Sequence, residues 1–110
     1  MSLGISNGTT LTVTLVVNGA VVRAFAPHSG ADAIPAGELP ALPWSVEVRA
    51  VSGRVLLTLT ARAGDVWQRG NEQKGVGERV DLSCGRLDVW SGPPMIGPSP
   101  GPGSPGDCEP

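Results

Sequence analysis

The run from Trp44 to Ala61 restricts the possible folds more than any other part of the chain. It reads Trp44-Ser-Val-Glu-Val-Arg-Ala-Val-Ser-Gly-Arg-Val-Leu-Leu-Thr-Leu-Thr-Ala61. Folded at Ser52-Gly53 as a two-residue hairpin, it sets Ala50 opposite Val55, Val48 opposite Leu57, Val46 opposite Leu59 and Trp44 opposite Ala61. Side chains alternate along a strand, so all of these pairs share one face. The other face carries Ser45, Glu47 and Arg49 against Thr60, Thr58 and Leu56. One face is apolar and the other mostly polar, which is the pattern of a half-buried antiparallel ribbon. A lone hairpin is marginal in water, so the rest of the chain must supply a second layer.

Two more hairpins are legible. Leu11–Val17 is followed by Asn18-Gly19, the strongest short hairpin signal, and Ala20–Ala26 returns. A two-residue turn faces Leu15 with Val22, Val13 with Ala24 and Leu11 with Ala26, leaving Phe25 on the other face with Thr12. Arg79–Ser83 and Arg86–Trp90 flank Cys84-Gly85. That turn pairs Leu82 with Leu87 and Val80 with Val89, and it sets Asp81 directly opposite Asp88. Like charges at that position are destabilising, so a different turn length, neighbouring arginines or a bound cation is required. Between the first two hairpins runs a connection from Pro27 to Pro43 whose prolines exclude a regular helix. Asp32–Ile34 is a candidate edge strand within it, and a crossover of this length suits a change of sheet. Residues 1–10 read as a polar lead-in, and Gln68–Glu78 as a mobile, Gly-punctuated loop.

The chain is short enough for one domain, assigned to residues 1–90. Residues 91–110 hold five Gly and seven Pro, so they form an irregular tail that cannot enter a sheet interior. The fold class is therefore all-β. The expected architecture is a small antiparallel β-sandwich of three hairpins, immunoglobulin-like in layout, with a partly open barrel as the alternative. This layout resembles the β-sandwich modules of bacterial surface and secreted proteins, although the immunoglobulin Cys-Trp-Cys spacing is missing. The bacterial source is a compositional reading: seven of the eight cationic residues are Arg, and Ala, Gly, Val and Pro are plentiful.

Net charge is −2 with no basic block, which gives nucleic-acid binding no electrostatic support. No apolar run reaches the roughly 20 residues of a membrane helix. The first residues lack a positive n-region and an apolar h-region, so no signal peptide is visible. Cys84 and Cys108 allow one disulfide, which would tie the tail back and imply an extracytoplasmic life. Two free thiols are the alternative, and no CxxC motif points to redox chemistry.

Candidate sites are few. His28 is the only histidine, which excludes two-His zinc and blue-copper sites. A triad of His28, Ser29 and Asp32 is conceivable on paper, but adjacent loop residues rarely converge. No phosphate-binding glycine motif is present. Asp81 and Asp88 are the candidate cation ligands, and otherwise no metal or cofactor is expected. Asn7-Gly8-Thr9 fits the glycosylation pattern. Trp44 belongs to the core, whereas Trp67 and Trp90 are candidates for an exposed binding surface. The leading expectation is a non-enzymatic interaction or structural module that associates with itself or another protein. The alternative is a carbohydrate-binding module using Trp67 and Trp90.

Overall fold

The alternating pattern is realised as strands in a computed structural model that describes residues 2–65, 75–92 and 103–109. They are β1 (Ser2–Asn7), β2 (Val13–Val17), β3 (Ala20–Phe25), β4 (Gly30–Pro35), β5 (Trp44–Ala50), β6 (Val55–Ala61), β7 (Val76–Leu82) and β8 (Gly85–Ser91), with one 3-10 turn over Ala36–Glu38. They form two four-stranded antiparallel sheets. Sheet A has the order β4-β1-β8-β7 and sheet B the order β3-β2-β5-β6. The two sheets pack together over one core. Leu3, Ile5, Ile34, Leu87 and Val89 come from sheet A, and Val13, Leu15, Val17, Trp44, Val46, Val48, Leu57 and Leu59 from sheet B. Trp44 is fully buried and donates its indole N–H to the Pro40 carbonyl at 2.8 Å, so its one polar atom is satisfied inside.

All three expected hairpins form, each with a change of register. In β5–β6, Trp44 faces Ala61, Val46 faces Leu59 and Val48 faces Leu57, as the alternation requires. Nearer the turn Arg49 faces Val55, and Leu56 is the extra residue of a bulge. The loop is Val51–Gly53: Ala50 N–H donates to the Arg54 carbonyl, and Gly53, at φ 91°, donates to the Ala50 carbonyl. The longer loop and the bulge cancel, so the core register is that of a two-residue turn. Val55 does not meet Ala50, and it is exposed.

In β2–β3 the Asn18-Gly19 turn forms with both residues at positive φ, 52° and 82°. Val17 faces Ala20 and Val16 faces Val21; a bulge then shifts the pairing so that Leu15 faces Arg23 and Val13 faces Phe25. That one-residue slip reverses the faces beyond it. Phe25 is therefore buried in the core, not set outside beside Thr12. Asn18 also fixes the start of β5, exchanging hydrogen bonds with Ser45 N–H and the Ser45 and Pro43 carbonyls.

The N-terminal segment is not a lead-in. β1 is a central strand of sheet A, paired with β4 on one side and β8 on the other. Asn7 at its end is fully buried. Its amide donates to the Leu11 and Ala26 carbonyls, both at 2.9 Å, and its Oδ1 accepts from Thr9 N–H and Thr9 Oγ. Thr9 Oγ in turn accepts from Leu11 N–H. Asn7-Gly8-Thr9 is thus a buried polar knot that holds the corner between β1 and β2. Both amide hydrogens of Asn7 are engaged inside, which removes it as a surface glycan acceptor in the folded chain. The start of β8 presses on the same corner. A Cβ on Gly85, at φ 138°, would run into the Gly8 carbonyl and Thr9 Cα, and Gly8 N–H donates to the Arg86 carbonyl. Only glycine lets these two backbones approach so closely.

β4 covers the expected Asp32–Ile34 edge strand. The segment read as a mobile loop contributes Val76–Glu78 to β7, and its residues 68–74 lie outside the described residues. Among the described residues no helix is long and apolar enough to cross a membrane.

Candidate functional site

Trp90 projects from β8 on the outward face of sheet A, since Leu87, Val89 and Ser91 point inward. Its cross-strand neighbours are glycines, Gly4 on β1 and Gly77 on β7. The indole lies across Gly4: a Cβ there would strike the ring at Cε2, Cζ2 and Nε1. An aromatic side chain laid over a glycine shields the backbone of a strand that has no side chain there. Trp67, the other candidate, lies outside the described residues. The pairing of the two indoles is therefore not part of the described geometry.

Two residues along β8 from Trp90, on the same face, sits Asp88. It does not oppose Asp81. The turn of the third hairpin is Ser83-Cys84, one residue earlier than the Cys84-Gly85 turn read from the sequence. This places Asp81 opposite Arg86 and Arg79 opposite Asp88. Arg86 Nε donates to Asp81 Oδ1 at 2.9 Å, and Arg79 Nε to Asp88 Oδ1 at 2.6 Å. The two-residue shift preserves the faces and exchanges a repulsion for two attractive cross-strand pairs. The Arg79–Asp88 side chains are each only 15% exposed, so this pair sits in a partly desolvated setting for an outward face. Asp81 raises the Arg86 guanidinium further above its ordinary range, chiefly by that hydrogen bond. The two carboxylates proposed as cation ligands are thus not opposite one another, and each is held by an arginine. Among the described residues no three of His, Cys, Asp and Glu gather as a metal group.

His28 is exposed on the loop after β3, at φ 52°, and its backbone N–H donates to the Thr9 carbonyl. Asp32 turns to Arg23 at 3.4 Å and to the Ala33 N–H at 2.8 Å. Arg23 also reaches Glu38 at 2.6 Å. It thereby ties the edge of sheet B to the edge of sheet A and to the 3-10 turn.

Cys84 and Cys108 are joined by a disulfide, with Cα atoms 6.1 Å apart. Residues 103–109 are accordingly folded onto the protein, and residues 93–102 of the tail lie outside the described residues. The bond is one part of a larger latch. Asp107 Oδ1 accepts from Ser83 N–H at 2.9 Å and Ser83 Oγ at 2.6 Å, and its Oδ2 accepts from Ser104 N–H at 2.7 Å. Arg54, on the turn of the other sheet, donates Nη2 to the carbonyls of Asp107 and Glu109, each at 2.5 Å. The C-terminal segment therefore bridges the β7–β8 turn of sheet A and the β5–β6 turn of sheet B. Gly103 backs onto Leu82 and Ser83 too closely for any Cβ.

The Ser83 side-chain hydrogen bond, helped by its N–H, that of Ser104 and the Arg54 charge, holds the Asp107 carboxyl below the ordinary carboxylate range. A depressed folded-state pKa stabilises the latch above the unfolded value of about 3.9, and the effect fades as pH falls through the folded value. We expect the Asp107 carboxyl resonance to titrate below that ordinary value, with Ser83 amide protection lost over the same pH window. Titration at or above the ordinary value would show that Ser83 does not hold it.

The sequence joined the two cysteines and set Trp90 on the outward face, but it opposed Asp81 to Asp88 where each faces an arginine, and it gave no sign of the Asn7–Thr9 knot or of the roles of Arg54 and Asp107. For the latch the signal in the sequence was the pair of cysteines, Cys84 and Cys108. No protein-family model, curated protein or solved structure matches the chain.

Proposed function

We propose that the chain is a non-enzymatic interaction module with an immunoglobulin-like β-sandwich architecture, working in an oxidising, extracytoplasmic setting such as a bacterial surface or secreted protein. The observation that carries this reading is the C-terminal latch. A disulfide, a triply bonded carboxylate and an arginine clamp fasten the last residues to both sheets. Disulfides persist where the surroundings are oxidising. A cross-strapped frame also binds partners at low ordering cost, because its surfaces are already set. The test is alkylation of protein isolated without reductant, read by intact mass, followed by light scattering across concentrations. We expect no alkylation, together with association. Free alkylation of both cysteines overturns the compartment, and a concentration-independent monomer that binds no partner overturns the interaction role.

A second reading is favoured by the outward face of sheet A. The Trp90 indole lies over Gly4, and the Asp88–Arg79 pair stands beside it along the strand. An indole platform flanked by hydrogen-bonding groups suits stacking with a pyranose ring. Indole fluorescence titrated with soluble polysaccharides tests this reading, with Trp90→Ala as the control. A signal that does not move under any of them removes it.

A further inference from the structure

We propose that β6 is a self-pairing edge: two copies of this chain join antiparallel through Leu57–Ala61 about a two-fold axis at Leu59, merging two B sheets into one continuous sheet. This rests on the interaction-module reading and names the partner.

The four edge strands are unequal. β4 carries Asp32 and ends in Pro35, and it begins with Gly30. β3 carries Arg23 and is broken by the bulge before it. β7 carries Glu78, Arg79 and Asp81. Charges, prolines and bulges are the usual devices that keep an edge from pairing with another chain. β6 reads Val55-Leu-Leu-Thr-Leu-Thr-Ala61, with no charge and no proline, and its bulge is confined to the end at Leu56. From Leu57 to Ala61 it is regular and, among the described residues, its ladder runs to β5 alone. It also lies alongside β7 of the facing sheet.

Charge selects a second copy as the occupant. An isologous contact sets a surface against itself, so charges near its axis meet their own kind. β4 and β3 would oppose Asp32 or Arg23 to itself, whereas β6 opposes nothing charged. The register follows from the faces. Buried residues must stay on the inner side in both copies, so residue numbers across the pair must sum to an even value. The regular stretch is centred on Leu59, giving Leu59 opposite Leu59, Leu57 opposite Ala61 and Thr58 opposite Thr60 of the other copy. Leu57, Leu59 and Ala61 then continue the core side, and the exposed Thr58 and Thr60 form an outer polar row.

The experiment is sedentimation equilibrium and light scattering of the full chain, from micromolar to about millimolar concentration, the range where small interfaces associate. Mass should rise from 11.2 kDa towards twice that value and stop there. Amides of Leu57–Ala61 should exchange more slowly as concentration rises. The double variant Thr58→Lys with Thr60→Lys places lysine opposite lysine twice and should weaken association by about tenfold. Thr58→Lys with Thr60→Glu places Lys opposite Glu twice and should restore it. A monomer throughout, growth beyond the dimer, or equal association in both variants overturns the proposal. Should the double-lysine variant not fold, exchange at Leu57–Ala61 that ignores wild-type concentration overturns it alone. A monomer that still binds another protein or a glycan sinks β6 pairing only, and one that binds nothing sinks the interaction module as well.

Discussion

Asn7→Ala should cost about 4 kcal/mol of folding stability and lower the melting temperature by on the order of 20 °C. The side chain is fully buried and uses its whole hydrogen-bonding capacity: two donors to carbonyls and two acceptances from Thr9. Truncation leaves the Leu11 carbonyl and the Thr9 N–H without their partner in a buried setting, and the Ala26 carbonyl without it in a part-buried one. Each buried group left unsatisfied costs roughly 1–3 kcal/mol, and the sum is a large fraction of what a domain this size has in hand. Urea and thermal unfolding read the effect, and a loss under about 1 kcal/mol would mean that water replaces the side chain at no cost. Asn7→Asp separates shape from bonding. It keeps the outline but aims a carboxylate at two carbonyl oxygens, so its folded-state pKa must rise above the unfolded value of about 3.9. That variant should be least harmed in acid and lose stability as pH rises through the window between the two values.

The Asn7 knot also marks where the sequence stops being readable. Alternation located three hairpins because β5, β6, β2 and β8 each carry several large apolar residues in step. β1 offers only Leu3 and Ile5 inward, and its outward positions are Ser2, Gly4 and Ser6. The reason for that poverty is tertiary: Gly4 is small because Trp90 lies over it. Asn7 reads as a loop residue until the chain ends that it joins are known.

Register was legible only modulo the bulges. In β5–β6 a longer loop and a bulge cancelled, so the core pairs came out as the alternation demands. In β2–β3 a single bulge had no such compensation, and Phe25 moved from the polar face to the core. In the third hairpin the expected Asp81–Asp88 repulsion was itself the sign of a wrong turn. Glycine at 85 suggested a turn residue, but it is needed instead for close contact with Gly8. Once the turn moves to Ser83-Cys84, charge and pairing agree. Trp90 was placed on the correct outward face by parity alone; what its indole rests on was beyond reach of the sequence.

Replacing both cysteines, Cys84→Ser with Cys108→Ser, should lower stability by about 3 kcal/mol, and reducing the wild-type protein should do the same. The bond closes a loop of sequence separation 24, and in the chain-entropy account that closure restricts the unfolded chain more than the folded one. The slope of stability against denaturant should steepen as well, since an uncross-linked unfolded chain exposes more surface. The folded state also responds. With the cross-link gone, the hydrogen bonds that hold residues 103–109 at the sandwich end, among the described residues, are those of Asp107 and Arg54, between exposed groups whose bonds are individually weak. Asp107→Asn should therefore release Ser83 amide protection far more readily in the double-serine background than in the cross-linked chain. The comparison tests the latch as a unit. If the two changes act independently, the disulfide merely joins two points. If they reinforce one another, the bond keeps Asp107 at high local concentration beside Ser83, and a Gly/Pro-rich segment becomes part of a two-sheet fold.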